Sequence, residues 1–445
     1  INRRKDGERY WVAGTIVPVP GEEGRPRQYI SIQTDISAGR KAEQALAQMR
    51  SRELDIGSRI QASLLVTPPP SQVNGNWLSA YHLASQGIDG DFVDVIRMGE
   101  HCVDIITGDV MGKGVPAALM GAATKLQFSR STAELLSHQQ ENRHLPTPVD
   151  IVTAVHGAMT PHLQALDAFV TLSYIRLDTQ AGTLTWVGCG HEETIVIRAD
   201  RTVTSLPNQH PPLGVLDDPH FVQDTCSWHP GDALFACSDG VTDAQLVNGE
   251  RIGRPRLLEA ILRLTQAHRS SATIVHRLRQ ELLHEGVCLT DDLTMLLAQH
   301  IGHRGDINRI EVPCSHASLR QVRSFLSQGM QAASLPEETA AILEVGVVEV
   351  FTNVVRHAKG LLAGAPIEVV VRITPDQFEV EVLHLGEAFT PPEEIIMADL
   401  DTFPEGGFGL TIVRNSCDHV AYLHHDGVNT VRMTLHRQGG AHPIG

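Results

Sequence analysis

The sequence predicts an α/β multidomain chain of the α+β kind, and three observations carry that prediction. From Trp77 onward, apolar strand-like runs alternate with helical stretches. Four acidic motifs, IDGDFVD around Asp91, TGDVMGKG around Asp109, ACSDGVTDA around Asp239 and LTDDLTMLL around Asp291, each set an aspartate at or beside the end of such a run. A length of 445 residues with 42% hydrophobic content suffices for two or three domains with packed cores.

The elements follow in order. RYWVAGTIVPVP and RQYISIQTDIS are β-rich runs joined by the polar GEEGRPR, which predicts a hairpin. The pattern NRRKDGERYW…YISIQTDIS resembles the last strands of a PAS sensor domain, here residues 1–37. Residues 38–66 carry helix formers without proline, with Leu46, Met49, Ile56, Ile60 and Leu64 at helical spacing. They predict an amphipathic linker helix, either a coiled coil that makes a homodimer or a helix packed on its own domain. Gly57 loosens that helix and predicts a bend. The helix stops before Pro68-Pro69-Pro70.

Residues 67–302 form the next unit. Its strands include CVDIITGD, AFVTLSYIRL, GTLTWVGCG, ETIVIRA, ALFACSD and LTMLLAQ, and its helices are expected at Val115–Leu136, Pro148–Leu166 and Leu257–Leu283. Residues 303–445 form a second α/β unit. Ser334-Leu335-Pro336-Glu337 reads as a helix start with a Ser cap, the helix running to about Ala358. Strands IEVVVRIT, QFEVEVLHL and TVRMTLHR follow.

The net charge of −16 argues against nucleic acid, whose binding needs basic surface to displace counterions. No run reaches the roughly 18–20 apolar residues of a membrane span, so a membrane role for this segment is not expected. The opening INRRKDGERYW is too charged for a signal peptide. It begins without Met inside a recognisable pattern, so a fragment of a longer protein is expected and an upstream anchor stays open. Seven scattered cysteines without CxxC spacing suit a reducing cytoplasm. The 23 histidines form no HxxxH or HExxH pattern.

Carboxylates gathered from distant strand ends suit Mg²⁺ or Mn²⁺, which take oxygen ligands. Two such ions about 3.5–4 Å apart activate water and clamp a phosphoryl group. The four motifs, with SRIQASLLVTPPP, GKGVPAALM, GCGHEETIVIR, PPLGVL and WHPGDALFACSDGVTDA, occur in the order of the SpoIIE-like branch of the PPM metal-dependent serine/threonine phosphatases. The chain resembles that branch over roughly residues 54–300. The resemblance implies a PPM αββα sandwich and a site for two Mn²⁺ or Mg²⁺. It makes Asp109 the bridging ligand, with the Val110 carbonyl beside it. Asp91 serves one metal, Asp239 and Asp291 the other, and Asp109, Asp239 and Asp291 are the catalytic set. Asp292 is expected to hold a loop, Asp94 and Asp243 to act as outer partners. Lys113 reads as a solvated loop charge or a phosphate contact, His191 as a turn-ordering residue or a phosphate contact.

In the last unit, EVFTNVVRHAK puts Glu349, Asn353 and His357 on one helix face. EGGFGLTIVRN runs a glycine loop with Gly406, Gly407 and Gly409 into a helix, whose N–H groups can meet phosphate oxygens. Together they resemble the GHKL (Bergerat) ATP-binding fold in its anti-sigma-factor serine kinase branch. The resemblance implies ATP with Mg²⁺ held by Glu349, Asn353, Gly386, Gly407 and Gly409. One departure is plain: EVLHLGEAF has His384 where the family has the adenine-binding aspartate. Kinase activity and ATP binding therefore stay open.

The expected function is a protein serine/threonine phosphatase of bacterial partner switching. A PAS sensor acts through the linker on a site that dephosphorylates a STAS-type anti-sigma antagonist, and a sigma factor is a further candidate partner. Two readings stand beside it: a signal-gated scaffold without catalysis, and a nucleotide-dependent kinase with an inactive phosphatase unit.

Overall fold

The computed structural model describes residues 1–20, 26–65, 70–85, 88, 90–138, 145–246, 248–267, 270–283, 287–302, 307–358, 365–391, 409–425 and 427–437. Strands Val12–Pro20 and Pro26–Asp35 pair antiparallel with Val12 opposite Asp35, as the alternating sequence requires. The turn expected between them lies outside the described residues. Asp35 accepts the Ser37 N–H at 2.9 Å and opens the helix Ser37–Leu65. Those bonds from Ser37 hold its carboxyl down at about 2. The helix runs unbroken through Gly57. A Cβ there would lie 2.6 Å from Ile88 Cδ1 and 2.7 Å from Val115 Cγ2, so glycine serves close packing. Leu46 and Met49 point outward, 68% and 69% exposed.

Two antiparallel sheets follow. The first runs Asp224–Ser227, Thr183–Cys189, Val170–Asp178, Cys102–Val110, Phe92–Arg97. The second runs Val203–Leu206, Thr194–Ile197, Ala233–Cys237, Leu293–His300, Asn76–Leu83, Gln72–Val73. Side chains alternate between faces along a strand, and the burial shows where each face goes. Val103 and Ile105 pack with Ile175, Leu234 and Leu296 between the sheets. Ile106 and Val110 face the other way, onto Phe128, Ile151 and Val155 of the helices Val115–His138 and Pro148–Ala165. On the far side, Phe235, Met295 and Leu297 pack on Leu257, Ile261 and Leu278. The order of layers is αββα, as expected.

Pro148–Ala165 starts with a capping box, Thr147 and Asp150 bonding each other's backbone. The helical region expected at Leu257–Leu283 is two helices, Gly253–Ala267 and Ser271–Leu282. Ser270 divides them, its side chain capping the Thr273 N–H at 3.1 Å.

The last unit is one sheet, Ile307–Pro313, Pro366–Ile373, Gln377–Leu385, Val428–His436, His419–His425. Helices Leu319–Ala332, Glu337–His357 and Gly409–Asn415 cover one face through Leu326, Phe351, Val413, Val371 and Val380. The expected Ser334 cap does not form. Ser334 takes a φ of 53° and closes the preceding helix, its N–H bonding Gln331 and that of Leu335 bonding Met330. The N-cap of the next helix is Pro336, with no side-chain bond.

A buried arginine joins the last two units. Arg309 pairs with Glu368 at 2.9 Å and Glu311 at 3.2 Å, donates to Ser271 Oγ at 2.9 Å, and lies 5.1 Å over the Trp77 ring. The Gln72 side chain accepts its backbone N–H at 2.9 Å. Burial pushes the Glu311 carboxyl up to about 7, with Arg309 opposing. A carboxyl raised above its unfolded value of 4.5 contributes stability below that value and loses it as pH rises through about 7.

Two outcomes follow at this seam. Arg309→Ala strands the buried Glu368 and the partly buried Glu311 and lowers stability by about 3–5 kcal/mol, read as a lower denaturation midpoint. Glu311→Gln flattens the fall in melting temperature between about pH 5 and 8.

Candidate metal centre

Each acidic motif sits where a strand ends. Asp91 directly precedes strand Phe92–Arg97, and Asp109 is the penultimate residue of Cys102–Val110. Asp239 opens a short helix after strand Ala233–Cys237, and Asp291 stands two residues before Leu293–His300. The contacts between these ends are specific. A Cβ on Gly90 would lie 3.0 Å from the Val110 carbonyl oxygen and 3.4 Å from Asp109 Oδ1, so both face the Asp91 turn. Asp292 accepts the N–H groups of Gly90 at 3.0 Å and Ser85 at 2.8 Å, and the Ser85 hydroxyl at 2.8 Å. That binds the Asp291 loop to the Asp91 loop. Gly240 closes the ring: any Cβ there would collide with the Asp292 carbonyl.

The electrostatics agree with that convergence. Burial, then Asp91, Asp239, Asp291 and Asp292, push the Asp109 carboxyl up to about 8. Asp239 is also raised, by burial, Asp291 and Asp243. Like charges gathered this way resist ionisation unless a cation joins them. Even so, among the described residues no three acidic, His or Cys side chains close into ligating geometry. The two observations are compatible, because carboxylates interact over longer distances than a ligand shell spans. A cavity of about 760 Å³ between Val73 and Phe325 contains none of the four aspartates.

Residues 99–301 match the family model described as Stage II sporulation protein E (SpoIIE), and residues 312–435 match that of the histidine kinase-like ATPase domain. The chain joins a SpoIIE domain to a histidine kinase-like ATPase domain. It is 29% identical to protein IcfG of Synechocystis sp. over 271 residues, 55% of this chain and 41% of that protein. It is 27% identical to phosphoserine phosphatase RsbP of Bacillus subtilis over 197 residues, 43% of this chain and 45% of that protein. The chain thus spans less than half of either relative. A solved structure of the RsbU and RsbW domains of Rv1364c from Mycobacterium tuberculosis aligns with a TM-score of 0.44 at 19% identity, covering 83% of this chain and 95% of that one.

Around the SpoIIE-domain carboxylates, several side chains have defined partners. Lys113, a half-exposed loop charge, lies 3.0 Å from Asp291 Oδ2 and donates to the Thr290 carbonyl at 2.6 Å. His191 is buried after Gly190, and burial holds its pKa down at about 4, so it is neutral near pH 7. Its Nδ1 meets Thr171 Oγ1 at 3.0 Å and its carbonyl accepts from Asn208, as a turn-ordering residue would. Asp94 pairs with Lys125 at 3.3 Å and Asp243 with Arg251 at 2.8 Å. Glu192 is an acidic neighbour that motif reading missed. Burial raises its carboxyl, Arg254 at 3.2 Å opposes, and Asp239 adds to the rise. Its signal is the first acidic position of the GCGHEE run.

In the ATPase domain, a Cβ on Gly409 would fall against Glu349 Oε1 and 3.1 Å from Asn353 Nδ2. The short helix Gly409–Asn415 therefore meets the Glu349 and Asn353 face. Gly406 and Gly407 lie outside the described residues. Gly386 donates its N–H to the Gly427 carbonyl at 3.1 Å. His384 is buried at the end of strand Gln377–Leu385, its Nδ1 donating to the Leu385 carbonyl at 3.1 Å. Burial lowers its pKa, so the ring is neutral and Nε2 is an acceptor.

The geometry separates the two adjacent aspartates. Asp292→Asn loses an acceptor for three donors and turns an amide toward them. We expect a melting temperature lower by several degrees, measured without metal. Asp291→Asn leaves that network intact and is expected to melt close to the parent.

Proposed function

We propose that this chain is a divalent-cation-dependent protein serine/threonine phosphatase, its SpoIIE domain acting within residues 67–302. The observation that carries the reading is the meeting of four strand-end aspartates, with the Asp109 carboxyl pushed up to about 8 by burial and its neighbours. The donor chemistry fits Mn²⁺ or Mg²⁺: hard oxygen ligands whose mutual repulsion a cation relieves. Asp109 and the Val110 carbonyl, Asp91, Asp239 and Asp291 are the groups that would hold two ions. When bound, such a pair activates water and neutralises phosphoryl charge.

The residues themselves divide the remaining work. Asp109 sits where the charges of Asp91, Asp239 and Asp291 all act on it. Asp292 keeps the Asp91 and Asp291 loops together, and Gly240 keeps Asp239 against them. The half-open rim at Asp239 and Asp291 leaves room for a phosphoserine on a protein surface. The similarity to RsbP supports phosphoserine as the leaving group's source, and we propose a STAS-type anti-sigma antagonist as the substrate protein. Residues 303–445 would bind that partner or a sigma factor, with Glu349, Asn353, His384, Gly386, Gly407 and Gly409 as the nucleotide-facing set for ATP with Mg²⁺. Residues 1–37 would be the sensor's end and 38–66 the linker, dimerising through the exposed Leu46 and Met49 stripe.

Hydrolysis of a phosphoserine substrate is expected to require Mn²⁺ or Mg²⁺ and to fall by more than about 100-fold in Asp239→Ala. No activity in either protein would favour the scaffold reading, and equal activity in the variant would remove Asp239 from the proposed ligand set. Separately, Mg-ATP at saturating concentration is expected to raise the melting temperature of the parent but not of Asn353→Ala.

A further inference from the structure

Among the described residues, Lys113 is a cation paired with one of the four aspartates, Asp291. Lys113 belongs to the TGDVMGKG motif of Asp109, on the loop that leads into helix Val115–His138. Its Nζ is 3.0 Å from Asp291 Oδ2 and 2.6 Å from the Thr290 carbonyl. The other Asp291 oxygen, Oδ1, accepts the backbone N–H of Asp292 at 3.0 Å. Both carboxylate oxygens of Asp291 are therefore engaged by donors of the chain itself. Asp291 is thereby committed to the chain's own donors while its charge still acts on Asp109.

We propose that Lys113 is an internal counter-cation for Asp291, which a divalent ion must displace before Asp291 can serve as a ligand. This rests on the phosphatase reading of the same site. Two features suit Lys113 to the role. It is 42% and Asp291 41% exposed on the side chain, so the ammonium can swing into water without burying its charge. Its stem is flexible and its donors rotate, unlike an arginine fork. The strength of a half-exposed pair is modest, so the lysine tunes cation affinity and does not block it. Lys113 is a positioning residue here: it acts through Asp291.

Mn²⁺ binding to the metal-free full chain, measured by isothermal titration calorimetry, tests the proposal without any turnover. Lys113→Gln is expected to bind Mn²⁺ about two- to fivefold more tightly than the parent. Lys113→Arg, which keeps the charge and can grip Asp291 with two donors, is expected to bind no more tightly than the parent. Arg251→Gln removes an exposed positive charge from Asp243, a carboxylate that also acts on Asp239, and is expected to leave affinity nearly unchanged. Equal tightening in Arg251→Gln and Lys113→Gln would mean net charge alone, and would overturn the proposal. So would unchanged or weaker binding in Lys113→Gln. A parent chain that binds no Mn²⁺ would instead remove the metal reading beneath it. Melting curves of each metal-free variant check that the fold is retained.

Discussion

Everything around the acidic site answers to one constraint: four carboxylates must be held close while each repels the others. The Asp109 carboxyl, pushed up to about 8, measures how poorly the chain alone tolerates its charge there. A flexible loop would relieve such repulsion by moving apart. This fold prevents that by taking each aspartate from the end of a different strand in two stacked sheets, where the backbone is already committed to a ladder. Asp109 shows it most directly, since its neighbours Gly108 and Val110 are paired to Leu172 and Val170. The dense apolar layer between the sheets, with Ile105, Ile175, Leu234 and Leu296 buried, fixes the sheets relative to each other.

The strand ends still need tying across the gap, and that work falls to side chains which are not proposed ligands. Asp292 gathers Ser85 and Gly90. Ser238 donates to the Asp292 carbonyl at 3.3 Å and accepts the Thr294 N–H at 2.9 Å, joining the Asp239 turn to the Asp291 loop. Gly240 allows these two turns to touch. Farther down the first sheet, Arg176 grips both oxygens of Asp104 at 2.7 Å, with Tyr174 donating to the same carboxylate. This buried group binds strands Cys102–Val110 and Val170–Asp178 below the site. Helix Ser37–Leu65 reaches the same region from outside, with Gly57 against Ile88 and Val115. Those two residues flank the loops of Asp91 and Lys113.

Much of this was legible in sequence because strand ends and glycine turns are local. The run ACSDGVTDA declares a buried strand, a turn and an aspartate within nine letters, and all three are there. What stayed hidden was relational. Asp291 and Asp292 are the same letter side by side, yet one faces Lys113 and the other faces Ser85 and Gly90. Lys113 looked like a loop charge because its partner is far along the chain. Ser334 satisfied a capping pattern, but the helix before it needed a left-handed residue first, and the claim on one residue excluded the other. Glu192 lay within GCGHEETIVIR without a role of its own; burial beside Arg254 and Asp239 distinguishes it from a surface glutamate.

The seam at Arg309 shows the same relational logic at the scale of domains. A guanidinium with no side-chain exposure is tolerable only because Glu368, Glu311 and Ser271 come from both sides of it. The two units therefore share one desolvated charge network, and neither surface would be well satisfied alone. The ATPase domain carries the opposite case in His384. There a carboxylate expected from resemblance is replaced by a buried neutral ring whose Nδ1 is committed to Leu385. Nε2 can still accept one hydrogen bond, but it brings no charge, and protonation would turn the acceptor into a donor. A group that donates one proton to that position gains geometry from this domain but little electrostatic attraction. The Glu349 carboxylate stands instead with Asn353 against Gly409, on a different element.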